Sequence, residues 1–443
     1  MNWNHILVKD GENLDEIDQA IKVAKTSEQP TIIEVKTIIG KGSLKEGTSD
    51  IHGNPLGQDD TNNLRKTLKW EYKEFEVPKE VYDFYTKEVY NRGQNVFKQW
   101  NEKLLEFKRN DHKDFELFER FIKGEINFSA MDNINYPSDS KEATRNISGK
   151  ILAALSKDNL NIIGGSADLT ASTKAKGADG NFLPSNYLGR NINFGVREHA
   201  MGAIANGITL HGGLKTFVGG FFVFSDYMKP AIRLSALMNI PTTYIFTHDS
   251  IGVGEDGPTH QPIEQLTGLR SIPNLNVFRP ADANETKAAY IQAFSKQYPT
   301  AMILTRQNVV NSDKTSITDA QKGGYIVSHE SKKLDGIIIS CGSELNLAIE
   351  VQTKLLEKNI DTRVVSMPSM FLFDQQSKEH KNKVLPNGIK TLAIEMGSSM
   401  PWFKYADFVY GIDEFGISAP LNQALDHFGF NAEKIVEYYL KSK

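Results

Sequence analysis

The 443-residue sequence has a single cysteine, Cys341, and almost no excess of charge of either sign. One cysteine excludes an internal disulfide and any zinc site of the CxxC type, and it is typical of a reducing compartment. The net charge of −4 gives no electrostatic reason to expect nucleic acid or an anionic membrane as a partner. No apolar run approaches the ~18 residues of a membrane-spanning helix, and the first residues do not resemble a signal peptide. We therefore expect a soluble, cytoplasmic protein.

Internal repeats and low-complexity segments are also absent, and the 40% hydrophobic and 24% charged residues are those of an ordinary globular protein. Three regions differ in pattern, with boundaries near 130 and 318. Region 1–130 begins with an amphipathic helix pattern and the β-rich run TIIEVKTIIG, which we expect to be partly disordered or to expose apolar surface. Charged and aromatic helical stretches follow, and Pro78 marks the start of one of these helices.

In region 131–318, helices alternate with short apolar strands, and several strands end in polar residues. Region 319–443 contains a strand–helix–strand pattern whose helix should bury one stripe of apolar side chains, namely Leu345, Ala348, Val351 and Leu355. Both patterns predict an α/β fold with parallel sheets. In such folds, ligands bind at the carboxyl ends of the strands.

The segment THDSIGVGEDGPTHQP (247–262) follows one of these strands and concentrates polar side chains. Turn chemistry explains its glycines and Pro258, but it does not explain His248, Asp256 and His260. One interpretation is that these side chains only hydrogen-bond the backbone of their own loop. Metal binding is disfavoured, because no regular ligand spacing such as HxxxH occurs. We favour contact with a polar substrate.

The segment NFGVREHAMGAIANGI (193–208) places one carboxylate, Glu198, before a run of small apolar residues at helical spacing. Gly202 and Gly207 should leave room for a closely approaching neighbour. A carboxylate in packed surroundings is normally paired. The simplest pairing would be with Arg197 or Arg190.

Several separated segments resemble the motifs of transketolases, the thiamine-diphosphate-dependent enzymes of the pentose phosphate pathway. The similarity extends through nearly the whole chain, and the motifs occur in the family's order. They are GGSADLTAS, NFGVREHAMGAIANGI, GEDGPTHQPIEQ, TRQN, VVSMPS and the early segment KTIIGKGSLKEGTSDIHGNPLG. The resemblance implies a thiamine-diphosphate-binding α/β fold with a parallel-sheet pyrimidine domain (131–318) and a transketolase C-terminal domain (319–443).

The resemblance also implies roles around the cofactor. Glu198 should contact N1′ of the aminopyrimidine ring and share a proton with it, which activates the neighbouring amino group to remove the thiazolium C2 proton. Phe221, Phe224 and Tyr227 are three residues apart, so they would share one face of a helix; alone they would indicate core packing, but here they should stack on the pyrimidine ring. Asp168 should lie near the cofactor, although it could instead cap the following segment.

Further residues match the family's positions for sugar phosphates, which are the expected substrates. Arg145, Arg306, the Ser172 hydroxyl and His248 should contact the phosphate, for which the permanent charge of arginine is suited. Asp256 and His260 should hydrogen-bond the sugar hydroxyls, and His52 should lie close to the reacting carbons, where a histidine can exchange protons. His52 could otherwise be a turn residue before Pro55.

The family binds the diphosphate and its Mg²⁺ or Ca²⁺ through a GDG segment, which is absent from this sequence. Region 1–130 therefore resembles a remnant of the diphosphate-binding domain followed by a helical linker. From this we expect an internal start, metal ligands outside the chain, and no measurable activity of the chain alone. The family also implies a homodimer with the cofactor between subunits.

Other readings lie within and outside this chemistry. Related thiamine-diphosphate enzymes are dihydroxyacetone synthase, deoxyxylulose-phosphate synthase and the β subunit of 2-oxo acid dehydrogenases. The decarboxylating ones have less use for two phosphate-binding arginines together with His260. A protein of a different class would keep the pyrimidine and C-terminal domains for dimerisation or regulation only. The missing metal motif favours that alternative, and the intact sugar-contacting residues oppose it.

Overall fold

The computed structural model describes residues 2–442. The chain forms two compact units, unit 1 (Met1–Asn110) and unit 2 (Asp111–Lys443). Among the described residues, no helix is both long and apolar enough to cross a bilayer.

Unit 1 contains one pair of parallel strands and four helices. The elements are β1 (Asn4–Val8), α1 (Leu14–Thr26), β2 (Thr31–Val35), α2 (Gly57–Thr67), α3 (Lys79–Tyr85) and α4 (Asn91–Asn110), with a 3₁₀ turn at Ser49–Ile51 and a π-helical turn at Thr86–Tyr90. Asn13 caps α1 by accepting a hydrogen bond from the Glu16 amide at 3.1 Å, and Pro78 precedes α3 as predicted. The β-rich run leaves Ile32, Ile38 and Ile39 about half exposed, so the predicted exposure of apolar surface is confirmed.

Unit 2 begins with a helix and a β–α alternation that builds a six-stranded sheet. Its elements up to residue 320 are α5 (His112–Lys123), β3 (Lys141–Glu142), α6 (Thr144–Asp158), β4 (Ile162–Ser166), α7 (Thr170–Thr173), β5 (Asn191–Asn193), α8 (Glu198–His211), β6 (Lys215–Phe221), α9 (Ser225–Leu237), β7 (Thr243–Thr247), α10 (Gln265–Arg270), β8 (Asn276–Phe278), α11 (Ala283–Ser295), β9 (Thr300–Leu304), β10 (Val309–Val310) and α12 (Ile317–Ala320). The strand order is β5-β4-β6-β7-β9-β8, and all five pairings are parallel. Every residue of β7 and β9 is buried, because helices cover both faces of the sheet.

The rest of unit 2 forms a second, five-stranded sheet. Its elements are β11 (Tyr325–Ser328), β12 (Gly336–Ser340), α13 (Leu345–Leu356), β13 (Thr362–Ser366), α14 (Met370–Asp374), α15 (Lys378–Val384), β14 (Thr391–Ile394), β15 (Phe408–Tyr410), α16 (Leu421–His427) and α17 (Ala432–Lys441). The order is β11-β13-β12-β14-β15, with only β11 antiparallel. The buried residues of α13 are the four that its periodicity predicts: Leu345, Ala348, Val351 and Leu355.

Helix α8 differs from its sequence prediction on one face. Gly202 does allow a close approach, since a Cβ there would lie 2.8 Å from Met228 Cγ and 3.0 Å from Ala231 Cβ. A Cβ at Gly207 would meet no atom of the described chain within 4 Å. Gly207 and Ile204 lie instead on an exposed face of the helix, so the prediction of a packed neighbour at Gly207 is wrong for this chain.

Candidate active site

The carboxyl edge of the six-stranded sheet collects the predicted polar residues. Asp168 follows β4, Phe221 ends β6, His248 follows β7, and Arg306 comes two residues after β9. Because the strands are parallel, these four residues emerge at the same edge. This edge is where α/β folds bind ligands.

Glu198 is the first residue of α8, and its carboxylate forms no hydrogen bond or ion pair with residues 2–442. The two arginines that could have paired with it are engaged elsewhere. Arg197 donates to the Phe194 carbonyl at 3.0 Å, and Arg190 donates to the Asp179 carboxylate at 2.5 Å. The structure therefore does not support the interpretation of Glu198 as one half of an arginine ion pair.

The start of α8 lies beside the start of α9. Near the beginning of the two helices Gly202 faces Met228, and one turn later the Asn206 side chain donates to the Ala231 carbonyl at 2.9 Å. Since these contacts advance in the same direction along both helices, the helices run parallel. Glu198, one turn before Gly202, is thus at the end of the helix pair where α9 begins.

Three aromatic rings cluster at that end of α9. Phe221 and Phe224 are stacked with centroids 6.3 Å apart, and the rings of Phe224 and Tyr227 are 6.1 Å apart. Their common helical face is not observed: Phe221 ends β6, Phe224 ends the 3₁₀ turn Phe222–Phe224, and Tyr227 lies in the first turn of α9. The rings converge because the chain reverses tightly between strand and helix.

His248 lies against this cluster in an unusual environment. Its ring stacks on Phe221 with centroids 3.7 Å apart, and its Nδ1 is 2.8 Å from Thr247 Oγ1. Burial and, to a smaller extent, the positive charges of Arg145 and Arg306 together lower the pKa of His248 to about 3. The imidazole is therefore neutral at physiological pH and can act as a hydrogen-bonding group but not as a cation.

Arg145 and Arg306 form a cationic pair beside His248. Arg145 donates from Nη1 to the Ser172 carbonyl at 3.0 Å and to His248 Nε2 at 3.5 Å, so Ser172 holds it through the backbone. Its buried Nε has no partner among the described residues. Burial lowers the Arg145 pKa, and repulsion from the exposed Arg306 adds to this. Neither guanidinium has a carboxylate partner within residues 2–442, so the pair is suited to an anion.

His260 and Asp256 lie on the loop between β7 and α10. The His260 ring packs edge-on against Phe224 with centroids 5.5 Å apart, and its Nδ1 is 2.9 Å from Thr259 Oγ1. Asp256 is exposed, and its carboxylate has no hydrogen-bond partner in the described chain. The structure therefore joins His260 to the aromatic cluster and leaves Asp256 free for a ligand.

Asp168 and His52 are both exposed, and neither takes part in the contacts described above. Asp168 is exposed with φ +59°, and it does not cap α7, because the N-cap position is occupied by Leu169, which makes no side-chain capping bond. His52 belongs to unit 1, where it is exposed and its amide closes the turn Ser49–Ile51 by a 3.0 Å bond to the Ser49 carbonyl.

Three further charged residues near the site are buried, and no motif in the sequence marks them: Asp249, Arg279 and Glu344. Asp249 and Arg279 come just after the apolar strands β7 and β8, and Glu344 ends the 3₁₀ turn Gly342–Glu344 that follows β12. A charge close to an apolar strand, without a nearby partner in the sequence, is the only signal. No cluster of three or more histidine, cysteine, aspartate or glutamate side chains that could hold a metal ion occurs between residues 2 and 442.

Comparison with known proteins decides the family. A transketolase of Bacillus subtilis is 48% identical over 451 residues, which cover 98% of this chain and 68% of that protein. The chain belongs to the transketolase family. The family models that match are "Transketolase, pyrimidine binding domain" at residues 140–311, "Transketolase-like TK C-terminal domain" at 323–431 and "Transketolase, thiamine diphosphate binding domain" at 1–127.

Solved transketolase structures have the same fold. A Pichia stipitis transketolase in complex with sedoheptulose-7-phosphate superposes with a TM-score of 0.93 at 39% identity, covering 99% of this chain and 67% of that one. A split-gene transketolase, described as an inactive β4 tetramer, has a TM-score of 0.56 at 25% identity and covers 68% of this chain and 97% of its own. The six-stranded parallel sheet is thus a transketolase pyrimidine domain, and the second sheet is the C-terminal domain.

The match of residues 1–127 corrects one expectation. These residues belong to the thiamine diphosphate binding domain of the transketolase family. The match gives no support to the expectation that most of this domain is lacking, nor to the inactivity and the outlying metal ligands that were inferred from it.

Proposed function

We propose that the chain catalyses the transketolase reaction, in which a two-carbon ketol group moves reversibly from a ketose phosphate to an aldose phosphate. The proposed donor is xylulose 5-phosphate, and the acceptors are ribose 5-phosphate and erythrose 4-phosphate, as in the pentose phosphate pathway. Family membership supports this proposal. So do crystal structures of related Pichia stipitis transketolases in complex with xylulose-5-phosphate and with fructose-6-phosphate.

The observation that carries the proposal is the unpaired carboxylate of Glu198 at the end of the helix pair where three aromatic rings cluster. This arrangement fits the aminopyrimidine half of thiamine diphosphate, because the rings offer faces for stacking and the carboxylate can hold a proton at a ring nitrogen. When bound, thiamine diphosphate supplies the carbon atom to which the two-carbon group is attached during transfer.

In this proposal, some residues of the chain contact the cofactor and others bind the phosphate of the sugar. Glu198 holds the proton at the pyrimidine, while Phe221, Phe224 and Tyr227 flank that ring and Asp168 lies beside it. Arg145 and Arg306 bind the phosphate ester bidentately.

The remaining proposed contacts are with the sugar and the surroundings of its phosphate. Neutral His248 donates or accepts one hydrogen bond near the phosphate, where the Ser172 hydroxyl also lies. Asp256 and His260 bind the hydroxyl groups, and His52 exchanges a proton near the reacting carbons.

Three further features belong to the proposal. Mg²⁺ or Ca²⁺ would accompany the diphosphate. The functional form is a homodimer, supported by the exposed apolar face of α8, on which Ile204 is 48% and Leu210 61% exposed.

The location is the cytoplasm, supported by the single free cysteine.

The domain division proposed for this function is 1–130 for the diphosphate-binding part with its helical arm, 131–318 for the pyrimidine domain and 319–443 for the C-terminal domain. The six-stranded sheet of unit 2 falls in region 131–318 and its five-stranded sheet in region 319–443, which supports the boundary between these regions.

The test is a transfer assay of the 443-residue chain with xylulose 5-phosphate, ribose 5-phosphate, thiamine diphosphate and Mg²⁺, together with calorimetric titration of the cofactor. We expect formation of a seven-carbon ketose phosphate, and we expect Glu198→Gln to lower kcat by roughly 10²–10⁴-fold, the usual range for a proton-transferring group. Glu350→Gln, on the exposed side of α13, is the matched control. Wild-type turnover by the Glu198→Gln chain, or a wild-type chain that neither binds the cofactor nor transfers the ketol group, would contradict the proposal.

A further inference from the structure

A buried network of charges connects the loop after β7 to the C-terminal domain. Arg279 is fully buried, and it donates from Nε and Nη2 to Asp249 Oδ2 at 3.1 and 2.7 Å. Its Nη1 lies 2.9 Å from Glu344 Oε1 and 3.3 Å from Glu395 Oε1. One guanidinium therefore faces three carboxylates, of which two belong to the C-terminal domain.

The Asp249 end of this network adjoins the candidate substrate site. Asp249 directly follows His248, whose backbone has φ +66°, in the left-handed region that residues other than glycine seldom adopt. That backbone conformation presents the His248 ring to Phe221 and Arg145. Since two N–H groups of Arg279 fix the Asp249 carboxylate, they also oppose relaxation of the backbone at His248.

The Glu344 end leads to the second candidate arginine. Ser343 Oγ donates to Glu344 Oε2 at 2.7 Å and accepts a hydrogen bond from Gln307 Nε2 at 3.2 Å. Gln307 directly follows Arg306, and its amide packs so closely on Gly252 that a Cβ there would lie 2.5 Å away. The network therefore ends next to His248 on one side and next to Arg306 on the other.

We propose that Arg279 is a positioning residue, which acts through Asp249 and Glu344 to hold His248 and Arg306 in the arrangement that binds the phosphate group of the sugar. Arg279 does not itself touch the substrate. Fixing these donors before binding saves the free energy that ordering them would cost. The C-terminal domain would thus help to order the active site through Glu344. The proposal rests on the proposed function only for the identity of the phosphate ester.

The choice of variants follows from the burial of the network. Removing Arg279 would leave three carboxylates without their shared partner, so such a chain is expected to unfold. Asp249→Ala removes the link at His248 and leaves Arg279 with two carboxylates. Asp249→Val also removes both acceptor oxygens but fills more of the space than alanine does, and it serves if Asp249→Ala does not fold.

The matched control is Glu330→Gln in the C-terminal domain. There Arg363 donates two N–H groups to the Glu330 carboxylate, at 3.0 and 2.5 Å. Among the described residues, the other side-chain hydrogen bonds of Arg363 go only to the carbonyls of Lys383 and Val384. This pair thus has the same chemistry without a connection to the site.

The first measurement is NMR of the histidine side chains of the 443-residue chain without substrate. In the wild type and in Glu330→Gln, the His248 ring is expected to stay neutral between about pH 5 and pH 8. In the Asp249 variant we expect it to titrate within that range, because the ring is no longer held in its buried position. An Asp249 variant with wild-type His248 titration would overturn the proposal.

The second measurement is calorimetric titration of the same chains with ribose 5-phosphate. We expect the dissociation constant to rise about tenfold or more in the Asp249 variant and in Glu344→Gln, and to stay unchanged in Glu330→Gln. Unchanged affinity despite an altered His248 titration would also overturn the proposal, since positioning would then not serve phosphate binding. If the wild-type chain itself does not bind ribose 5-phosphate, the proposed function fails, while the NMR measurement still decides whether Arg279 positions His248.

Discussion

His248 is the residue whose protonation couples the site to the stability of the fold. Its pKa is lowered to about 3 by burial and by the neighbouring arginines, whereas an unfolded chain has an ordinary histidine with a pKa near ~6.5. Between these values the unfolded state binds a proton that the folded state refuses. The free energy of unfolding should therefore fall as the pH falls through this window, by up to ~1.4 kcal/mol per pH unit from this one group, with no contribution above the upper limit.

Replacing His248 by asparagine tests this directly, because asparagine tolerates the left-handed backbone and does not titrate. We expect the urea midpoint of His248→Asn to depend less steeply on pH than that of the wild type between about pH 6.5 and pH 4. His211→Asn, at the exposed end of α8, is the control and should leave the slope as in the wild type. Equal slopes for His248→Asn and the wild type would show that the folded state accepts the proton.

The residues of the candidate site divide into those that the sequence predicts and those that it does not. Glu198, Arg145 and His248 are predicted from short segments that resemble transketolase motifs. Arg279 was not identified, because its carboxylate partners lie 30, 65 and 116 residues away. Periodicity and motif spacing carry no information on which distant charges become neighbours, so a buried network of this kind appears only with the fold.

At the scale of elements, α8 carries two glycines whose surroundings are opposite. A Cβ at Gly202 would collide with Met228 of α9, whereas a Cβ at Gly207 would reach open space. We expect Gly202→Ala to lower stability by about 1–3 kcal/mol through overpacking. Gly207→Ala should raise it by up to ~1 kcal/mol, because alanine favours the helix. Thermal melts of the dilute chain measure both.

The two glycine variants control for each other, since the chemical change and the helix are the same. If both variants gained stability, α9 would have room to move away from α8, and the close approach at Gly202 would not be a constraint.

The sequence indicated the glycines but could not distinguish them, because either face of a short apolar helix can be the buried one. The aromatic rings show the same limit: spacing by three suggested one helix, and the chain instead uses a strand end, a turn and a helix start.

At the scale of the whole molecule, unit 2 leaves apolar side chains of both α8 and α9 exposed. The exposed apolar side chains there include Ile204, Leu210, Leu234 and Leu237, which are 48–65% exposed. Several large apolar side chains exposed on neighbouring helices often mark an interaction site. A stable dimer buries on the order of 1,600 Å² in total, and charged residues are depleted at the centre of such interfaces.

A charge placed in the middle of this face should therefore separate the subunits of the proposed homodimer. We expect the wild-type chain to have the mass of a dimer in light scattering after gel filtration, and Ile204→Asp to have the mass of a monomer. Leu356→Asp, at the end of α13 where Leu356 is 46% exposed, is the control and should remain dimeric. Because a buried carboxylate without a partner costs several kcal/mol, one such substitution is sufficient to shift the equilibrium at micromolar concentration. A dimer that persists in Ile204→Asp would place the subunit contact on another surface.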